Sequence, residues 1–209
     1  MLKSLQDIPL MGGLDDSPRG RVLRAAAHLF AEQGYERTTV RDLARMVGIQ
    51  SGSLFHHFGS KQDILSAVME EAINYNHERM RQALAAAPDR RQRLFALVRC
   101  ELESICGESG EAMKVLVYEW HALLAPQQAA LLALREAYEQ DWLRVLEEMR
   151  QAGELAYEPF LWRRLLAGAI AWTHSWYRPQ GRLGLDELAD MVVAMASAGQ
   201  LPVQRERAC

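Results

Sequence analysis

The sequence has few cysteines and no long apolar run, and both shortages limit the kind of protein it can be. Its three cysteines, Cys100, Cys106 and Cys209, do not cluster as metal ligands do, and their odd number fits a reducing compartment better than a secreted, disulfide-bonded protein. The longest apolar run near the C-terminal end, residues 165–172, is far below the roughly 18 residues that span a bilayer. Polar residues interrupt the start of the chain, so we expect no export signal. We therefore predict a cytoplasmic protein that does not bind a membrane.

Motifs of the common enzyme classes are also absent from the sequence. It contains no Gly-x-Ser-x-Gly elbow, no Walker loop and no His-Glu-x-x-His motif. His56 and His57 are adjacent, which is poor spacing for two metal ligands on one helix, and His121 and His174 have no supporting carboxylates. We therefore expect no catalytic residue, no metal site and no cofactor, and an enzyme is the less favoured class. A group of acidic residues has the pattern of a solvated face: Glu101, Glu103, Glu108 and Glu111.

Alternation with a period of two is nearly missing, whereas apolar residues recur with the 3.6-residue period of helices. The pattern predicts an all-α protein of about nine helices. Ser17 and Pro18 supply an N-cap and a first-turn proline for the first helix, and Thr39 and Asp42 are placed as a capping pair for the second. Glycines and prolines further along predict helices at about residues 89–106, 112–124, 127–152, 158–177 and 185–198.

Composition and charge divide the sequence into four segments. We expect residues 1–16 to form a disordered leader, residues 17–62 a small three-helix module, residues 63–200 a larger helical domain and residues 201–209 a flexible tail. The net charge of −3 is unevenly distributed, because the small module carries seven cations and three anions. A local positive face is enough for contact with nucleic-acid phosphates, whatever the total charge.

The most informative stretch, residues 30–61, has the layout of a helix-turn-helix. This DNA-binding motif needs a short first helix, a sharp turn and a second helix whose N-terminal residues meet base edges. Ala44 is small where the two helices cross, and Gly48 supplies the positive φ of the turn. Ile49 and Leu54 pin the second helix to the core. The side chains left to face outward are Gln50, Ser51, Ser53, Phe55 and His56.

The same stretch closely resembles the TetR family of transcriptional regulators. The matching residues are Phe30-Ala31-x-x-Gly34-Tyr35-x-x-Thr38-Thr39-Val40-x-Asp42-Leu43-Ala44-x-x-x-Gly48-Ile49-x-x-Gly52-x-Leu54-Phe55-x-His57-Phe58-x-x-Lys61. The resemblance implies an all-α homodimer with an N-terminal helix-turn-helix module and a C-terminal ligand-binding and dimerisation domain. It also implies binding to a palindromic double-stranded DNA operator, repression as the default mode, and release by a small hydrophobic effector.

The resemblance also implies which residues contact DNA, and the sequence departs from the family at two of them. The implied contacts are Thr39, Arg41, Gln50, Ser51, Ser53, Phe55, His56 and Lys61, with Gly52 allowing close approach of the backbone. The family usually has tyrosine where this chain has Phe55, and a lysine common near Ser51 is missing. DNA affinity should therefore depend more on Arg37, Arg41, Lys61 and the helix N-termini.

Aromatic residues concentrate in the C-terminal domain, where they suit either core packing or the wall of an apolar pocket. The segment from Trp172 to Ala189 resembles the C-terminal helices of TetR-family regulators that respond to acyl-CoA thioesters. This resemblance implies an acyl-CoA effector, whose phosphates would meet Arg178 or the pair Arg163 and Arg164. The predicted ligand-binding residues are Tyr118, His121, Tyr138, Trp142, Trp172, Trp176 and Arg178.

Alternatives for the C-terminal domain remain open. Trp176 and Arg178 also fit the turn between two dimerisation helices, which would pair with their two-fold mates as a four-helix bundle. The effector could instead be a drug, a free fatty acid or another hydrophobic or aromatic molecule. The chain could also be a DNA-binding regulator that responds to no small ligand.

Replacing Phe55 by tyrosine restores the hydroxyl that the family usually has there. Because a phenolic hydroxyl can donate a hydrogen bond to a DNA phosphate, we expect Phe55→Tyr to tighten DNA binding by about 0.5–1.5 kcal/mol. Effector affinity should not change. Fluorescence anisotropy with a labelled operator measures the first effect, and unchanged or weaker DNA binding would contradict the phosphate contact.

Overall fold

The computed structural model of the chain describes residues 14–107 and 110–197. Within these ranges all regular secondary structure is helical, so the predicted all-α fold is confirmed. The predicted tail and most of the predicted leader lie outside the described residues. The helices are α1 (Pro18–Gln33), α2 (Val40–Val47), α3 (Ser51–Leu54), α4 (Lys61–Ala86), α5 (Arg90–Cys106), α6 (Gly110–Tyr118), α7 (Ala125–Gln151), α8 (Pro159–Ala171) and α9 (Leu185–Ser197), with 3₁₀ turns at Trp120–Ala122 and Trp172–Ser175.

The chain forms two compact units. Among the described residues, the first comprises residues 14–78, 103–107 and 110–137, and the second comprises residues 79–102 and 138–197. Helices α4, α5 and α7 each contribute residues to both units. Among the described residues, no helix combines the length and the apolar character that a bilayer crossing needs.

The core of the first unit packs the helix-turn-helix residues together with α6. Phe30 of α1, Leu43 of α2 and Leu54 of α3 are almost completely buried in one cluster with Leu65 of α4 and Val115 of α6. Each such side chain stabilises the fold by about 1.5–3 kcal/mol through removal from water. Leu54, the buried residue of α3, therefore belongs to a core that α1, α2, α4 and α6 share.

Side-chain caps fix where the helices of this unit begin. The Ser17 hydroxyl accepts a hydrogen bond from the Gly20 amide at 3.0 Å at the start of α1. Thr39 and Asp42 form the expected reciprocal capping box of α2. Each cap satisfies an amide that the helix leaves unpaired, and is worth about 1 kcal/mol.

Two helices are shorter than the sequence predicted. The expected helix at 158–177 is α-helical only to Ala171 and continues as a 3₁₀ turn. There Thr173 and Ser175 donate their hydroxyls to the carbonyls of Ile170 and Trp172, at 2.7 and 2.8 Å, which offers the backbone an alternative to α-helical pairing. The expected helix at 112–124 likewise ends at Tyr118, and a 3₁₀ turn follows.

In the second unit most buried side chains come from α5, α7, α8 and α9, and α4 adds Met80. Those of α7 recur with helical spacing on one face, which explains why a helix with so many charged residues still packs. The buried residues include Leu97, Val98, Leu102, Trp142, Val145, Leu146, Met149, Leu166, Ile170, Ala189 and Val193.

Gly48 is a position where a side chain should be costly to the backbone. Its φ of 79° and ψ of 31° are left-handed, and a Cβ there would meet no atom within 4 Å, so the cost comes from the backbone alone. We expect Gly48→Ala to lower the free energy of unfolding by about 1–2 kcal/mol, measured by urea titration. Gly52→Ala is the matched control, because that Cβ also enters open space but without a positive φ. Equal stability of both variants would contradict the strain.

Candidate nucleic-acid interface and effector site

The turn between α2 and α3 is held by two hydrogen bonds to one carbonyl. The amides of Gly48 and Ile49 both donate to the Ala44 oxygen, at 2.9 and 3.0 Å. Leu54 is fully buried, and Phe58 is nearly so. The rest of α3 consequently faces away from the core, as the sequence predicted.

The predicted DNA-contacting residues of α3 lie together on this outward face. Phe55 is 54% exposed, and the α3 backbone is open at Gly52, where an added Cβ would touch nothing. The remaining members of the face are exposed or half-buried: Gln50, Ser51, Ser53 and His56. His57 is also exposed, and the apolar ring of Phe58 takes the buried position next to it.

Cations surround the α3 face, but they differ in what they already bind. Arg41 is exposed. Arg37 donates from Nε to the Gln33 carbonyl at 2.6 Å, and Arg45 lies 3.3 Å from the carboxylate of Asp42. Exposed pairs of this kind contribute little stability, so a DNA phosphate could replace them at small cost.

Lys61 is engaged within the chain. Its Nζ donates to the carbonyls of Tyr35 and Thr38, at 2.8 and 2.9 Å, and lies 4.0 Å from the centre of the Tyr35 ring. These contacts tie the start of α4 to the loop between α1 and α2. The DNA contact expected of Lys61 stays a prediction, and in the free chain its ammonium stabilises that loop.

The predicted ligand-binding residues are distributed over both units. Tyr118 and His121 belong to the first unit and are exposed. In the second unit Trp172, Trp176 and Arg178 are exposed as well, and the Trp172 ring meets that of His174 edge-on at 5.9 Å. Only the pair Tyr138 and Trp142 lies in the interior, with Tyr138 half-buried and Trp142 fully buried.

A buried ionic network surrounds Tyr138 and Trp142. The Arg163 guanidinium donates from Nε and Nη2 to the two oxygens of Glu139, at 3.0 and 2.8 Å, and from Nη1 to Glu101 at 3.2 Å. The Tyr138 hydroxyl donates to the other Glu101 oxygen at 3.1 Å. The guanidinium carbon lies 4.3 Å from the centre of the Trp142 ring. The network therefore connects α5, α7 and α8 through one arginine.

This network corrects two expectations from the sequence. Arg163 was a candidate for coenzyme A phosphates, but it is 3% exposed and paired with two carboxylates. Glu101 was assigned to a solvated face, but it is buried. The pattern held a signal for Arg163, because it shares the buried stripe of α8 with Pro159, Leu166 and Ile170. A charged residue on such a stripe needs a buried partner.

Glu111, also predicted to lie on the solvated face, pairs instead with a histidine of another helix in the first unit. Its carboxylate lies 2.9 Å from Nδ1 of His28, which is buried in α1. Since the two residues are 83 positions apart, helical spacing alone could not reveal the contact.

Burial controls the titration of the network. Removal from water raises the pKa of Glu101, and the neighbouring Arg163 charge opposes that rise only in part. Burial also raises the pKa of Tyr138 well above its ordinary value, with the negative charge of Glu101 as the second cause. Two carboxylates share a single guanidinium, so the buried group has an excess of negative charge whenever both are ionised.

Two protein-family models match the chain. Residues 22–68 match the family of tetR bacterial regulatory proteins, and residues 87–200 match the tetracyclin repressor-like C-terminal domain. The chain belongs to the TetR family. The first match confirms the resemblance found on residues 30–61, and the second extends the family assignment to the C-terminal part of the chain.

Individual TetR-family relatives cover most of the length. The chain is 32% identical over 190 residues to the HTH-type transcriptional repressor KstR2 of Rhodococcus jostii, with 87% of this chain and 90% of the relative covered. Among solved structures, one described as the superantigen PfiT is 56% identical with a TM-score of 0.79, covering 88% of this chain and 98% of that one. AibR, described in complex with isovaleryl coenzyme A and operator DNA, is 22% identical with a TM-score of 0.78 over 87% and 98% of the two chains and shows the same fold.

The buried carboxylate of this TetR-family chain should give its stability a specific pH dependence. Because the folded-state pKa of Glu101 lies above its ordinary value of 4.5, the folded chain binds that proton more tightly than the unfolded chain. The contribution of Glu101 is therefore most favourable below about pH 4.5 and is lost as pH rises through the raised pKa. We expect Glu101→Gln to gain stability relative to the wild type as pH increases above 4.5.

Urea titrations at a fixed protein concentration and several pH values measure this difference in unfolding free energy. Glu103→Gln is the matched control, since it makes the same charge change on the same helix at a more exposed position. A difference between Glu101→Gln and wild type that stays constant with pH would contradict the raised pKa.

Proposed function

We propose that this chain is a ligand-responsive transcriptional repressor that binds a palindromic operator as a homodimer. The outward face of α3 supports DNA binding most directly, because it presents polar side chains and an open backbone on a helix anchored in the core through Leu54. Repression is proposed because KstR2 of Rhodococcus jostii is named a repressor. A DNA-binding role also fits the cytoplasmic location that the sequence predicts.

The exposed apolar side chains of α8 and α9 support the homodimer. On α8, Leu161 and Leu165 are four residues apart and are 57% and 60% exposed, and Trp172, 65% exposed, follows in the 3₁₀ turn. On α9, Met191 and Met195 are four residues apart and are 54% and 71% exposed. Such spacing places each set on one helix face, and a second copy of the chain would remove both faces from water. The same assembly would present two α3 helices to one palindrome.

The effector domain proposed here is the second unit, with Tyr138 and Trp142 as the central residues. An acyl-CoA thioester is the effector class we favour, since AibR shares the fold and is described with isovaleryl coenzyme A bound. A free fatty acid, a drug-like compound or another hydrophobic ligand is the alternative. The exposed Trp172, Trp176 and Arg178 then serve the dimer surface, the effector entrance or both.

Capture of a random duplex library by the purified protein tests the proposal. We expect enrichment of a palindrome, and loss of that enrichment when a mixture of acyl-CoA thioesters is added. Enrichment that ignores the thioesters would support the regulator and refute the effector class. Without any enrichment, the DNA-binding function would be refuted.

The double variant Gln50→Ala and His56→Ala controls for binding elsewhere on the surface. Both side chains are exposed, so their removal should leave the fold intact. We expect this variant to enrich no palindrome, although it should retain weak, salt-sensitive binding to any duplex.

A further inference from the structure

Gln62 connects the helix-turn-helix to a distant turn in the same unit. Its Oε1 accepts a hydrogen bond at 2.5 Å from the hydroxyl of Tyr35, in the loop between α1 and α2. Its Nε2 donates to the carbonyl of Ala122, in the 3₁₀ turn that follows α6. We call these three residues the Gln62 bridge. None of them belongs to the predicted DNA contacts or to the predicted ligand site.

The end of the bridge at Tyr35 cannot move independently of the DNA-binding module. Tyr35 is 8% exposed, and its ring meets that of Phe30 edge-on at 5.4 Å. Lys61, the neighbour of Gln62, holds the Tyr35 and Thr38 carbonyls as described above. A displacement of Gln62 would therefore be transmitted to the loop that precedes α2.

The other end of the bridge lies in a short turn whose carbonyls are held by side chains. Ala122 is bound by Gln62, and the Trp120 carbonyl accepts from Nε2 of Gln128 at 3.1 Å. A second connection follows at the start of α7, where Nε2 of Gln127 donates to the Gln62 carbonyl and to Asp63, at 3.4 and 3.3 Å. The position of the Trp120–Ala122 turn therefore depends on contacts with α4 as well as with α7.

We propose that Gln62 is a positioning residue that couples the DNA-binding module to the Trp120–Ala122 turn. Displacement of the turn then shifts the loop before α2 and, through it, the α3 face. The inference rests on the proposed DNA-binding function and names the contact through which that function is regulated. Coupling between two sites is reciprocal, so operator binding must in turn stabilise the turn.

Amide hydrogen exchange of residues 119–128, with and without a saturating operator duplex from the library capture, tests this coupling. In the wild type we expect the operator to slow exchange there by about fivefold or more, the lower end of ordinary allosteric coupling. Gln62→Met, which keeps the length of the side chain and removes both hydrogen bonds, should lose this protection. Tyr35→Phe, which breaks one end of the bridge, should reduce it.

Gln128→Ala is the matched control. It removes a hydrogen bond to the same turn but none to the DNA-binding module, so the free protein should exchange faster there while operator-induced protection persists. Full protection in Gln62→Met, or none in the operator-bound wild type, would overturn the inference. Fluorescence anisotropy on the same samples reports whether the operator binds. If it binds and the turn gains no protection, the coupling is refuted while DNA binding stands. If no duplex binds, the proposed function is refuted and the coupling with it.

Discussion

Gly48 turns the chain in a left-handed conformation, and the placement of the whole α3 face depends on that turn. Two amides donate to the single carbonyl of Ala44, so α3 begins at a fixed angle to α2. Burial of Leu54 and Phe58 then fixes its rotation. The four-residue α3 would not be a stable helix alone. Its order comes from the packing around it, which lets it present polar side chains to a ligand as large as duplex DNA.

Charge is used in opposite ways in the two units. Around α3 the arginines are exposed and make weak pairs with their own chain, such as Arg45 with Asp42, and these pairs can be exchanged for phosphates. In the second unit Arg163 is buried between Glu101 and Glu139. Removal of Arg163 would leave two buried carboxylates without a compensating charge, so this arginine is committed to the structure. The first arrangement suits a surface that binds polyanions, and the second suits an interior that must stay assembled.

The features that the sequence predicted correctly are local ones. The caps at Ser17 and Thr39 act over three residues, and the turn at Gly48 depends on that residue and on hydrogen bonds to nearby Ala44, so residue type and spacing suffice. The Arg163 contacts span 24 and 62 residues, and helical periodicity carries no information about which buried groups meet. The shortened α8 was missed for another reason: the hydroxyl of Thr173 competes with the backbone, and an apolar pattern does not register that competition.

Whether α3 reads base sequence is tested by the ratio of the affinities for a selected operator and for a scrambled duplex of the same composition. Measured for the wild-type chain at one near-physiological salt concentration, it separates reading of base edges by α3 from attraction of a basic module to phosphates. We expect the selected operator to bind about 10³-fold or more tightly than the scrambled duplex, as specific sites do for other DNA-binding proteins. A ratio near one would contradict the assignment of the α3 face as a sequence-reading surface.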